Sequence, residues 1–438
     1  MSTINVGLDW SSRYSTPLTN VFSRAHKLEL EHKVEIALLE ALGECGLAPV
    51  EAAVEAREAV SSGRVTLERT LEIEKDTQHD IMAVVKAITE QCPRFGGFVH
   101  YGATSQDVND TVLALQMGEC RAQLLTTTRG VRRELTRLSN TYKDLTSIGR
   151  THGQHAIPIT MGFKFANFLY EISVAEEMLE RVKLLGKFSG AVGTFASLGT
   201  KSVQDSIMKR LGIEAAPIST QVVSRLHMLD FFFALSAIAA ALERLAKEVR
   251  NLQRTEINEL HEGFGDKQVG SSTMPQKRNP HKSERICGIA RIVRSQLGPA
   301  LETVTLEHER VLTNSSTERV SLPTAACLCH YMLMEMEKVL KALKVDEDAV
   351  KVNLYAGGGK QLAERIMLSL AGKIGRQRAH EVLRLHASAP DFVAALKGDQ
   401  VVTSALSAAE LDDLLKPETY VGLAPQIVTR VLDTFGVQ

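Results

Sequence analysis

Three short segments of the sequence concentrate imidazoles, hydroxyls, amides and charges. Thr104, Ser105, Gln106, Asp107 and Asn109 follow a Gly-containing turn, Arg150, Thr151, His152, Gly153, Gln154 and His155 precede Pro158, and residues 308–319 read HERVLTNSSTER. An imidazole changes charge near neutrality, so it can exchange a proton with a reacting group. Guanidinium groups and hydroxyls can hold carboxylates or phosphates. For each segment alone, helix capping and a solvated turn explain the composition equally well. Several in one chain, all expected at helix ends, predict convergence on one pocket at the end of a bundle. A fourth segment, residues 263–280, reads GFGDKQVGSSTMPQKRNP and lacks apolar periodicity. A loop of this length inside a compact domain is uncommon and usually functional, often a lid. A surface linker is the alternative.

The elements that must position these segments are helical. Leu235, Ile238, Leu242, Leu245, Val249 and Leu252 alternate steps of three and four, the stripe of a long bundle helix. Phe165, Phe168, Ile172, Ala175, Met178, Val182 and Leu185 make a second stripe. Leu113, Met117, Cys120 and Leu124 begin a third, continued by Val131, Leu135 and Leu138. Ile286, Ile289, Val293 and Leu297 make a fourth, which Pro299 should kink or break. Leu328, Met332, Met336, Val339 and Leu343 make a fifth. The predicted fold is all-α, with a long central bundle. Turn formers at 92–107 and Gly357-Gly358-Gly359 divide it into a helical domain 1–108, a central long-helix domain 109–356 and a helical domain 357–438. Stripes this long often bury themselves against other subunits, so an oligomer is expected.

Composition excludes several classes. Fifty-one basic residues face 52 acidic ones in 438, which argues against gripping nucleic acid or an anionic membrane as the main task. Six cysteines, at 45, 92, 120, 287, 327 and 329, include no CxxC pair, so neither a zinc site nor a disulfide framework is expected. Reduced thiols suit a cytosolic protein. The N-terminal MSTINVGLDWSSRYSTP lacks the basic-then-apolar pattern of a signal peptide. The most apolar run, Phe231 to Leu242, is shorter than the roughly 20 residues that span a bilayer.

GSSTMPQKRNP at 270–280 resembles the signature loop GSSxMPxKxNP of the fumarase/aspartase superfamily, with every fixed position present. Further segments are similar to those of its adenylosuccinate lyase branch: RYSTP at 13–17, TQHD at 77–80, HYGATSQD at 100–107, RTHGQ at 150–154 and SSTER at 315–319. The resemblance runs in order from 13 to about 390. Gln276 stands where many adenylosuccinate lyases carry His, and Gln there is familiar from argininosuccinate lyases. Val311 holds a position often occupied by Asp.

The resemblance implies a helical homotetramer that releases fumarate by β-elimination from an N-substituted succinate, with sites shared between three subunits. The proton removed is weakly acidic, so the site must stabilise a dianionic carboxylate as well as supply a base and an acid. Carried over by position, Ser271 is the candidate base, its alkoxide favoured by Lys277 and loop N–H groups. His152 is the candidate acid, with Glu284 holding its imidazole, and His79 and His100 are further active-site histidines. Lys277 and Asn279 would bind the carboxylate that gains charge, and Thr104 and Ser105 the other carboxylate. Arg13, Tyr14, Gln221, Arg310, Ser315 and Arg319 would contact the nucleotide or its phosphate. The implied partner is a nucleotide substrate. No metal or cofactor is expected, since the elimination needs none, and no phosphate-cradling or dinucleotide fingerprint occurs. Another lyase or cycloisomerase of the superfamily, or a structural protein that kept the fold, are the competing readings.

Overall fold

The computed structural model describes residues 13–265, 273–274 and 276–437. Helix dominates. Among the described residues the strands form three two-stranded pairs, and only one has strands longer than two residues. The chain divides into two compact units. The first takes its described residues from 1–127, 175–240 and 289–333, the second from 128–174, 241–288 and 334–438.

In the first unit, helix α1 (Arg24–Glu44) starts at Ser23, whose hydroxyl accepts the His26 N–H at 3.1 Å. Leu38, Leu39 and Leu42 are buried, together with two carboxylates, Glu31 and Glu35. Helix α2 (Asp80–Thr89) adds Ile81, Val84 and Ile88 to the same core, capped at its N-terminus by His79. Helix α3 (Ser105–Thr141), whose residues up to Thr127 belong to this unit, opens on a reciprocal cap: the Thr104 N–H donates to Asp107 Oδ2, and the Asp107 N–H to the Thr104 carbonyl, both at 2.8 Å. The third stripe therefore lies on one unbroken helix.

In the second unit, residues 146–160 depart from the all-helical expectation. Strands β1 (Thr146–Thr151) and β2 (Gln154–Thr160) pair antiparallel, with an irregularity between Ile148 and Arg150. Thr151 faces Gln154, leaving His152 and Gly153 as a two-residue connection with φ of 52° and 75°. Both residues are left-handed, as the tight turn that matches strand twist requires. A hairpin thus stands where a helix end was expected. Its apolar alternation is too short and too interrupted by polar residues to show as a strand pattern.

Helix α4 (Met161–Glu180) carries the second stripe only as far as Glu180; Val182 and Leu185 lie beyond it. Helix α5 (Leu226–Leu252) contains no Gly or Pro and is rich in Ala and Leu, all favourable to helix. It is long and apolar enough to cross a membrane by length and composition. Its stripe, Leu235 through Leu252, is nevertheless buried within the protein. Helix α6 (His281–Ser295) stops before Pro299, which cannot supply the N–H that continuation would need. Helix α7 (Thr313–Ala342) starts well ahead of its predicted stripe and absorbs residues 313–319 into its first two turns. The C-terminal helices between Ala363 and Leu414 close on their own core of Ile366, Leu370, Phe392, Leu396 and Val402.

Candidate active site

The first unit assembles most of the expected nucleotide and carboxylate contacts. His100 has φ of 64°, a left-handed conformation that a non-glycine residue adopts only at a cost. That turn carries its ring onto α1, where Nδ1 lies 2.7 Å from Glu35 Oε1. Glu35 is fully buried, and its Oε2 has no hydrogen-bond partner. Burial works to lower the His100 pKa, but the hydrogen bond and charge of Glu35, with Asp107 behind them, outweigh it and raise it. With Nδ1–H donating to a carboxylate, Nε2 is the atom left to meet a ligand. Thr104, just ahead of Ser105 at the start of α3, is held by Asp107, which also takes the buried Lys187 ammonium and the Ser189 N–H. The two hydroxyl residues therefore sit at a fixed, electropositive helix N-terminus.

Beside them lies a cleft of about 160 Å³ lined by Lys27, Gln106, Asn109, Arg225, Ser315 and Arg319, among others. Arg310 donates to Asn314 Oδ1 at 2.6 Å and to Ser315 Oγ at 2.8 Å, which joins two of the expected phosphate contacts directly. Burial, and then the neighbouring Arg225 cation, lower the Arg310 pKa. Arg319 is exposed and reaches Asp80 Oδ2 at 3.5 Å, and Lys27 approaches the same oxygen at 3.6 Å. Burial acts to raise the Asp80 pKa, yet Lys27, the Ile81 N–H and Arg319 together bring it below its ordinary value. His79, one residue earlier, caps α2 by accepting the Met82 N–H on Nδ1 at 3.3 Å. Gln221 is tied to the Ala191 carbonyl at 3.1 Å, and its N–H to the Glu309 carbonyl at 3.2 Å. Tyr14 packs edge-on against Tyr331 with ring centroids 5.3 Å apart, while Arg13 is exposed.

The second unit holds the remaining candidates. His152 is exposed at the hairpin tip and has no hydrogen-bond partner among the described residues. Two residues before it, Arg150 forms a double hydrogen bond to the fully buried Glu259, at 3.0 and 2.5 Å. Glu284 is exposed in the first turn of α6, and no bond joins it to His152 among the described residues. Lys277 is exposed, and the Asn279 carbonyl accepts the His281 N–H at 2.8 Å just ahead of α6. Glu262 caps that helix, accepting the Ser283 N–H at 2.7 Å and the Lys282 N–H at 3.3 Å. Ser271 lies outside the described residues.

Sequence reasoning missed Glu35, Glu259 and Glu262. Their only signal is an acidic residue on an apolar helix face or beside one, which reads as solvated until the fold buries it. The arrangement presents an imidazole at the exposed hairpin tip and another on the Glu35 carboxylate, with groups that can bind anions at the cleft and the α3 N-terminus.

Residues 11–295 match the family described as "Lyase". A fumarate lyase from Mesorhizobium sp. superposes with a TM-score of 0.89 at 27% identity, covering 97% of this chain and 99% of that one. The 3-carboxy-cis,cis-muconate lactonizing enzyme from Pseudomonas putida superposes at 0.87 with 28% identity, covering 96% and 97%. Fold and sequence thus define a helical lyase of the fumarase/aspartase superfamily. Residues 359–431 separately match "Adenylosuccinate lyase C-terminus". The adenylosuccinate lyase of Pyrococcus abyssi is 43% identical, over 96% of this chain and 95% of its own. That of Synechocystis sp. is 37% identical, over 96% and 99%. The chain belongs to the adenylosuccinate lyase family.

Proposed function

We propose that the chain cleaves adenylosuccinate to AMP and fumarate, and the succinylated nucleotide SAICAR to AICAR and fumarate, by general acid–base β-elimination. Ser271 removes the proton next to one carboxylate, Lys277 and Asn279 hold the charge that develops there, and His152 protonates the leaving nitrogen. His100 and Thr104–Ser105 receive carboxylate oxygens, and His79 completes the histidine set. Arg13, Tyr14, Gln221, Arg310, Ser315 and Arg319 receive the nucleotide. The observation that carries the nucleotide reading is the joining of Arg310 and Ser315 beside the cleft that Arg319 lines. Such a wall of guanidinium and hydroxyl groups suits the phosphate of a nucleotide. No metal or cofactor takes part, and the setting is cytoplasmic.

We further propose that the chain comprises three domains, 1–108, 109–356 and 357–438, and works as a homotetramer whose sites draw residues from three subunits. Supporting this, Glu284 and His152 are both exposed and unjoined among the described residues, as groups awaiting partners on other subunits would be. Mixing an inactive His152 variant with an inactive Ser271 variant should restore activity by subunit exchange; proven mixed tetramers without recovery would refute shared sites.

The direct test is spectrophotometric turnover of adenylosuccinate with chromatographic detection of AMP and fumarate, beside argininosuccinate and carboxymuconate. Turnover of adenylosuccinate alone is expected. Activity on another substrate instead would overturn the nucleotide contacts. His152→Ala should lower kcat by about 10²–10⁴-fold, the usual contribution of a positioned acid. Its melting temperature should be unchanged, because the ring is exposed.

A further inference from the structure

The hairpin that carries His152 has a weak ladder and a strong anchor. The irregularity between Ile148 and Arg150 interrupts the strand pairing, and beyond it only Arg150–His155 and Thr151–Gln154 pair before the turn. One flank of the tip, at Gly153 and His155, opens onto a groove of about 910 Å³ rather than onto packed side chains. Backbone pairing alone therefore leaves the tip free to pivot. The side chain of Arg150 does not. Its two terminal nitrogens reach the two oxygens of Glu259, which is fully buried. Glu259 is in turn fixed at its carboxylate and at its backbone. Its Oε1 also accepts Asn353 Nδ2 at 2.8 Å, the same amide donates to the Ile257 carbonyl at 2.7 Å, and the Glu259 N–H donates to the Leu252 carbonyl at 2.8 Å. Asn258, at φ 58°, makes the reversal that turns Glu259 inward.

We infer that Arg150, Glu259 and Asn353 form a clamp that positions the His152 imidazole for proton transfer. The inference rests on His152 as the general acid. Arg150 lies two residues, about 7 Å of strand, from the tip. A displacement at the guanidinium therefore reaches the ring almost undiminished, and a misplacement of about 1 Å can cost around 100-fold in rate. Arg is required over Lys because only a planar fork satisfies both carboxylate oxygens and fixes the strand's rotation as well as its distance. Arg150 touches no reacting atom and is a positioning residue.

The test is a double-mutant cycle on the full chain, with adenylosuccinate turnover read chromatographically over long incubations. Arg150→Lys should lower kcat by about 10- to 100-fold with KM changed less than about threefold. In a His152→Ala background the same substitution should cost nothing further. Asn353→Ala, which removes one donor from Glu259 and leaves both Arg150 bonds in place, should show the same pattern with a smaller, several-fold loss; it decides the matter if Arg150→Lys fails to fold by circular dichroism. Equal losses in both backgrounds would mean a general structural role and overturn the clamp. Full kcat in Arg150→Lys would overturn it as well. If His152→Ala itself kept full kcat, the acid assignment would fall first and the clamp with it, an outcome separable from the other two.

Discussion

Arg225 offers the sharpest test of the energetics inside the first unit. Its side chain is 3% exposed, donating to Asp110 at 2.8 and 2.9 Å, to Glu318 at 2.7 and 3.1 Å, and to the Val223 carbonyl at 2.9 Å. The two carboxylates it joins are themselves 3% and 10% exposed. Arg225→Met keeps the approximate length and removes the charge, leaving two carboxylates together without a cation. Breaking a buried ion pair in this way typically costs about 3–5 kcal/mol. Each carboxylate retains one donor, the Val223 N–H to Asp110 at 2.7 Å and Asn314 Nδ2 to Glu318 at 2.8 Å, which places the cost near the lower end. At roughly 2–4 °C per kcal/mol for a unit of this size, the melting temperature should fall by about 6–12 °C. The discriminating arm is the triple variant Arg225→Met, Asp110→Asn, Glu318→Gln. Replacing every member of a buried charge cluster is often neutral, because the desolvation cost goes with the charges. The triple variant should therefore recover most of the loss in circular-dichroism melts. A triple variant melting as low as the single one, or a single variant within about 1 °C of wild type, would refute the assignment of the cost to uncompensated charge.

Two further outcomes are expected. The pair of Glu35 and His100 raises the histidine above its ordinary 6.5, so its contribution to stability is complete below that value and lost as pH rises through the folded pKa. Glu35→Gln should consequently lower the melting temperature more at about pH 6 than at about pH 8.5, and equal deficits would contradict the pairing. At Gly149, an added Cβ would lie 2.7 Å from the Ile157 carbonyl oxygen across the hairpin. Gly149→Ala should destabilise by roughly 1–3 kcal/mol, as overpacking does, and lower kcat because the tip moves; an unchanged melt and kcat would count against the close strand approach.

Much of the scaffold was readable because buried helices must repeat their apolar residues with the helical period. Leu235 to Leu252 and Leu113 to Leu138 are both found on single helices. The misreadings have separate causes. Val182 and Leu185 continue the second stripe's spacing by coincidence past the end of α4, since apolar residues outside a helix also seek the core. Residues 313–319 looked like a turn because hydroxyl and charged residues cap helices, yet packing draws them into α7. The hairpin at 146–160 was hidden because two strands with a tip of exposed polar residues offer little alternation to detect.

For the candidate site, the sequence alone identified residue types and membership of a family: the imidazoles, the arginines and the loop motif are local strings, and local strings survive without a fold. It also determined the helical class, because periodicity is a property of neighbours three and four apart. Only the tertiary structure decided which carboxylates are buried and what they hold. Glu35 under His100, Glu259 under Arg150 and Glu318 beside Arg225 lie 65, 109 and 93 positions from their partners. At such separations no local pattern distinguishes a buried acid from a solvated one. The charge of a carboxylate acquires its meaning from the dielectric and the donors around it, and both come into being only when distant segments close over it.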